Sequence, residues 1–162
     1  MPLEKSKPNR LQSFDYSQNG AYFLTVCTTD MKCILWNDQP YSSESQSEIS
    51  YLSTAGLAAD EAIREIPLHY SGVTVEKYVV MPNHLHMILL MARDLLSPAT
   101  DISRIIKQLK SAVTKRTGRA VWQKSFHDHI IRDEKEHKII WGYVDANPVR
   151  WREDCYYAGE QI

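Results

Sequence analysis

The chain has 162 residues, 43% of them hydrophobic and 24% charged, with a formal net charge of −1. Those values describe an ordinary globular domain that can bury its own core, and they require no second domain. The opening Met1-Pro2-Leu3-Glu4-Lys5 is no charged-then-apolar leader, and no apolar run is long enough to cross a bilayer, so a cytoplasmic protein without a membrane partner is expected. Cys27, Cys33 and Cys155 are too few and too scattered for a disulfide framework or a zinc knuckle and read as reduced thiols.

The near-zero net charge hides a segregation. From Asn37 to Glu65 the acids Asp38, Glu44, Glu48, Asp60, Glu61 and Glu65 face one base, Arg64. From Ile102 to His127 there are seven bases, Arg104, Lys107, Lys110, Lys115, Arg116, Arg119 and Lys124, and no acid. A charge run is usually a solvated helix face; an acid-free stretch of this length also suits an anionic polymer.

In chain order, residues 1–20, with Lys5, Lys7, Arg10 and the Asn19-Gly20 turn, read as a flexible basic arm. Ala21 to Thr29 is rich in β-formers and predicts a strand, with Cys33 to Trp36 as a possible hairpin return. The serine-rich 40–46 stretch reads as a loop. Leu57, Ala58, Ala62, Ile63 and Ile66 recur at helical spacing after Ser53-Thr54, and Pro67 is expected to stop that helix. Val73 to Met81 and His84 to Met91 predict adjacent strands around a Pro82-Asn83 turn.

After a Ser97-Pro98-Ala99 loop, Thr100 or Asp101 can cap a helix that buries Ile102, Ile105, Ile106, Leu109 and Val113 and ends at Gly118. Trp122 to Ile131 reads as a short strand or extended loop, and Glu134 to about Asn147 as a last helix closed by Pro148. No internal repeat is evident. The order strand, helix, two strands, helix, strand, helix predicts one α+β domain over 1–162, a ferredoxin-like sandwich with helices mainly on one face of an antiparallel sheet.

His84 and His86 stand one residue apart on an apolar strand. Alternation sends both rings to one face while Leu85 enters the core, which is a geometry that can hold one divalent ion. Such an ion needs a further protein ligand. Asn147, four residues beyond Tyr143 on the same helix face, is a candidate, although Asn147-Pro148 also reads as a helix terminator and Tyr143 as a core tyrosine. Arg104, Lys107, Lys110, Lys115 and Arg116 could follow a nucleic-acid backbone, with Arg119 and Lys124 beyond them. Trp122, Phe126 and His127 could stack on unpaired bases or lie in the core. His127 and His129 form a second His-x-His pair, which could be a second metal site but reads rather as a pair of satisfied structural histidines.

The segments Tyr78 to Ile88, Ser103 to Lys110, Val121-Trp122-Gln123 through His129-Ile130-Ile131-Arg132, and Tyr143-Val144-Asp145-Ala146-Asn147-Pro148-Val149-Arg150 together resemble the REP-associated tyrosine transposases. These are the single-tyrosine branch of the HUH endonucleases, named for a His-hydrophobic-His motif. The likeness runs from about Phe14 to Trp151. It implies that His84 and His86 are metal ligands for Mg2+ or Mn2+, that Tyr143 is the nucleophile, and that Asn147 is the third ligand.

The activity implied is cleavage and rejoining of single-stranded or hairpin DNA, such as REP-like repeats, through a 5'-phosphotyrosine, by a monomer or a homodimer. The bases of the 104–124 stretch, Trp122, His127 and Arg10 of the arm would then contact DNA. Many relatives carry an aromatic pair with tyrosine where this chain has Phe126-His127, and the nucleophile is accordingly assigned to the Asn-Pro helix. A domesticated hairpin-binding protein that seldom cuts is the alternative, with a hydrolase of small phosphate esters behind it.

Overall fold

The computed structural model describes residues 20–38, 41, 51–92 and 100–157. The basic arm with Arg10, the serine-rich loop apart from Tyr41, and the Ser97-Pro98-Ala99 loop lie outside the described residues. Four strands, β1 (Gly20–Cys27), β2 (Val73–Val80), β3 (His84–Met91) and β4 (His127–Ile131), form one antiparallel sheet in the order β2-β3-β1-β4. With α1 (Thr54–His69) between β1 and β2 and α2 (Ile102–Thr117) between β3 and β4, this is the expected ferredoxin-like α+β order, followed by α3 (Glu134–Ala146).

Strand alternation divides the molecule into two unequal layers. Tyr22, Leu24, Val26, Leu85, Met87, Leu89 and Met91 face α1 and α2 and form the large core. Phe23, Val79 and Ile88 face the other way, against Ile140 and Val144 of α3. The helices α1 and α2 thus share one face, and α3, with Trp36 and Trp151 beside it, packs on the other.

The helix ends follow local chemistry. The Ser53 hydroxyl accepts from Gly56 N–H at 3.1 Å, and a Cβ on Gly56 would stand 2.0 Å from the Leu35 carbonyl oxygen, so only glycine lets α1 dock there. Asp101, rather than Thr100, caps α2 through Arg104 N–H, and Gly118 closes it at φ 72°. Asp133 caps α3 through Glu136 N–H.

Two expectations fail on tertiary grounds. Pro67 does not stop α1: it sits in the last turn, where its one missing donor is tolerated, and Tyr70 N–H still reaches the Ile66 carbonyl. Cys33 to Trp36 does not return along β1, because β3 and β4 already flank that strand; Trp36 instead bridges Leu52, and its indole N–H donates to the Val80 carbonyl at 2.7 Å. The Trp122–Ile131 stretch is a strand only from His127.

A bulge in β2 between Val75 and Lys77 lets two consecutive side chains reach α3. Glu76 pairs with His137 and Lys77 with Asp145. Both clamp the helix that carries Tyr143 against the sheet edge.

Candidate metal and nucleophile site

His84 and His86 lie at the start of β3 on the α3 face, 0% and 1% exposed. Their Nε2 atoms stand 3.1 Å apart. The partners of the other ring nitrogens fix what those atoms can do. Asn83 Nδ2 donates to the Tyr156 carbonyl, so Asn83 Oδ1 is the acceptor for His84 Nδ1–H at 2.7 Å, which leaves the His84 Nε2 lone pair available. His86 Nδ1 bonds the Thr25 hydroxyl, one strand over, at 2.7 Å. Burial and the neighbouring His84 hold the His86 pKa well below its usual value, so its ring stays neutral, as a ligand must.

The third donor is Asp154, the residue just past the single 3-10 turn Trp151–Glu153 that follows α3. Its Oδ2 is 3.8 Å from His84 Nε2, and His84, His86 and Asp154 form the one His/Cys/Asp/Glu group of metal-binding spacing among the described residues. Neighbouring ligands of an ion with bonds of about 2.1 Å stand roughly 3–3.5 Å apart, so this donor set fits a divalent cation with small adjustment. Asn147, the ligand expected from sequence, is beside it: Nδ2 donates to Asp154 Oδ2, while the buried Oδ1 has no partner. An orphaned buried carbonyl oxygen at the edge of such a group is a further donor a cation could use. Asp154 was missed from sequence because nothing periodic marks the 151–156 segment; its one signal is a carboxylate shortly after the helix terminator.

Tyr143 completes the cluster. Its ring is 5.4 Å from that of His86, and its hydroxyl donates to Asp154 Oδ1 at 3.2 Å. Burial, and then the Asp154 charge, push its pKa far above the usual tyrosine value. The same carboxylate therefore joins histidine, asparagine and tyrosine. Tyr156 lies over His84 with ring centroids 4.4 Å apart, and Trp151 is 6.0 Å away, so the C-terminal segment roofs the histidines.

The bases divide into three groups. Arg104, Lys107 and Lys115 form one exposed stripe of α2 with no ion pair among the described residues. Arg116 is held by α1, with Glu65 at 2.8 Å and Glu61 at 3.8 Å. Lys110 turns inward and donates to the Gln123, Lys124 and Ser125 carbonyls, and burial lowers its pKa. Two of the five expected backbone contacts on this helix are thus used within the fold.

The stripe itself lies across the sheet from the histidines. Its link to the site is the 118–126 loop, which extends β1 through Thr29 N–H to Val121 O, a Thr28–Trp122 bridge and Gln123 N–H to Cys27 O, at the end where Cys27 pairs with His84. Arg119 and Lys124 are exposed on it. Trp122 and Phe126 pack in the large core at 9% and 8% exposure, so their faces are not offered to bases. His127 is buried on the site face beside Thr25, with Nδ1 unpartnered, and His129 bonds Glu136. No second metal group forms from this pair among the described residues.

No family model matches the chain. A Haemophilus influenzae protein of uncharacterised function is 28% identical over 170 residues, 91% of each chain. A second protein of that organism, described as a candidate REP-associated tyrosine transposase, is 23% identical over 147 residues, 84% of this chain and 74% of its own. Among solved structures, a REP-associated tyrosine transposase bound to a REP hairpin superposes with a TM-score of 0.62 at 22% identity, covering 88% of this chain and 74% of the other. A candidate transposase of Deinococcus radiodurans R1 gives 0.50 at 17% identity, covering 85% and 95%. In sequence order and in fold the chain is similar to the REP-associated tyrosine transposases, the resemblance its motifs imply.

Proposed function

We propose that the protein is a metal-dependent single-stranded DNA endonuclease and strand transferase that acts on hairpin DNA through a covalent 5'-phosphotyrosine. The observation that carries this reading is the convergence of Tyr143 on Asp154, the carboxylate that also faces His84. The similar transposase solved with a REP hairpin supports the choice of nucleic acid.

His84 Nε2, His86 Nε2 and Asp154 Oδ2, with Asn147 Oδ1 beside them, would hold the ion. A divalent cation there supplies positive charge that favours the phenolate over the phenol and offsets the charge of the scissile phosphate. Tyr143 Oη then attacks phosphorus. The new bond joins Oη to phosphorus, which keeps its 5' oxygen; the bond to the 3' oxygen breaks, and the phenolic proton ends on the departing 3'-hydroxyl. Asp154 Oδ1, already the acceptor of the Tyr143 hydroxyl, is in place to take that proton first. Because the phosphotyrosine keeps the bond energy, a 3'-hydroxyl can reverse the step and join strands without a nucleotide cofactor. Exposed Arg104, Lys107, Lys115, Arg119 and Lys124 would follow the DNA backbone from the α2 face around the 118–126 loop to the site end of the sheet.

The test is a covalent adduct. With Mn2+ or Mg2+ and a labelled hairpin taken from repeats flanking the coding region, the wild-type protein is expected to give a band that survives denaturation, and Tyr143→Phe none. An adduct on Tyr143→Phe would overturn the assignment, and hairpin binding without any adduct would make the protein a binding module.

A further inference from the structure

A buried polar row crosses the sheet at the site end. His86 on β3 and His127 on β4 are both register partners of Thr25 on β1, so the three residues stand side by side across three adjacent strands. Alternation puts Thr25 on the face of Phe23, away from the large core that Leu24 and Val26 enter. His86, Thr25 and His127 are 1%, 2% and 9% exposed. Directly opposed residues of an antiparallel pair hold their Cβ atoms about 4.5–5.5 Å apart, which leaves the Thr25 hydroxyl between two imidazoles.

The hydrogen bonds of that row leave one hydrogen and one nitrogen over. His86 Nδ1 and the Thr25 hydroxyl are 2.7 Å apart. For His86 Nε2 to offer a lone pair to a cation beside His84, the ring proton must sit on Nδ1, and the Thr25 oxygen then accepts it. The Leu24 carbonyl also accepts from the His86 ring and pulls the same way. The hydroxyl's own hydrogen then needs an acceptor, and Thr25 makes no other side-chain bond among the described residues. Without one it turns back to His86 Nδ1, which forces that ring into the Nε2–H tautomer and removes the lone pair. On the other flank, His127 Nδ1 is a buried ring nitrogen with no partner. Burial first, then His84 and more weakly His127, lower the His86 pKa, so the His127 ring is near enough to act on His86.

We propose that His127 is a positioning residue: its bare Nδ1 accepts the Thr25 hydroxyl hydrogen, and the chain His86–Thr25–His127 keeps the His86 Nε2 lone pair turned toward the metal group. The inference rests on the metal-dependent reading above, for which it names the partner that fixes the second histidine as Asn83 fixes the first. It also accounts for a histidine held inside the fold, where a ring that stacks on bases would have to be open. The outer partners of a metal-binding histidine are worth roughly 10–100-fold in metal affinity.

The test reads the ring protons directly. Full-length protein with nitrogen-15-labelled histidine, free of metal and DNA, is followed by NMR at about pH 8, where an ordinary imidazole is neutral. The chain predicts Nδ1–H on His86 and Nε2–H on His127, whose Nδ1 stays bare. His127→Leu removes the acceptor and is expected to populate the Nε2–H form of His86 and to weaken Mn2+ binding in calorimetry by about 10-fold. His127→Asn, whose Oδ1 stands where Nδ1 stood, is expected to return the Nδ1–H form and an affinity within about threefold of wild type. A proton on His127 Nδ1 in the wild type, an unchanged His86 tautomer in His127→Leu, or no difference between the leucine and asparagine variants would overturn the proposal. The wild-type tautomers decide it even where a variant fails to fold. The predicted tautomers without any hairpin adduct would uphold the chain and sink the nuclease reading; an adduct from a protein with a proton on His127 Nδ1 would do the reverse.

Discussion

Asp154 is the residue on which the site turns. It accepts from Tyr143, Asn147 and the Tyr156 amide while facing His84, so four residues meet at one carboxylate. Replacing it with alanine removes a charged donor and leaves Asn147 Nδ2 unpaired; Asp154→Ala is expected to weaken Mn2+ binding in calorimetry by about 100-fold or more, at or above the roughly 10–100-fold cost of losing an outer partner of a metal ligand, and Asn147→Ala by about 10-fold. Equal affinity for wild type and Asp154→Ala would remove it from the ligand set. The histidines were legible in sequence because a period of two needs only local information. Asp154 was not, because its role depends on how far the chain turns after Pro148.

Glu136 offers a pH test at the same scale. Burial raises its pKa, but bonds from Arg132 N–H and His129 outweigh this and hold it below the ordinary glutamate value. A depressed carboxylate stabilises the fold above its unfolded pKa, and that contribution fades as pH falls through the folded value. The melting temperature of wild type should therefore exceed that of Glu136→Gln at pH 6–7, with the gap closing below about pH 4. A gap that widens in acid would contradict the assignment.

Among the elements, α2 shows why a basic run is not a binding surface by count. Helical periodicity places Arg104, Lys107 and Lys115 on one exposed line, Arg116 toward the acids of α1, and Lys110 toward the carbonyls that hold the 123–125 loop. The charge segregation in the sequence is thus partly an α1–α2 contact within the fold. Lys107→Ala with Lys115→Ala should lower the slope of log affinity against log salt by about 0.7 per lost phosphate contact on single strands while leaving the melting temperature unchanged. Lys110→Met should instead cost about 1–2 kcal/mol, or roughly 3–6 °C, in thermal unfolding. The reverse pattern would mean that the roles are exchanged. Element order, the Asp101 and Gly118 ends of α2 and the strand pair around Asn83 were readable from local chemistry; the passage of α1 through Pro67 and the burial of Trp122 depended on tertiary packing.

At the scale of the whole molecule, the sheet separates two tasks. One face carries the large core under α1 and α2, and the other carries a small core that fixes α3 above the start of β3. Ile140 and Val144 anchor that helix while Glu76–His137 and Lys77–Asp145 tie its outer side to β2, so Tyr143 meets His86 within one chain. A homodimer that exchanged this helix would build its sites from two chains, and this arrangement does not need that. The direct test mixes two inactive variants, Tyr143→Phe and His84→Ala, in equal amounts with Mn2+ and the labelled hairpin. A site completed within one chain predicts an adduct from wild type, none from either variant, and none from the mixture; an adduct from the mixture, on the His84→Ala protein that still carries Tyr143, would contradict it.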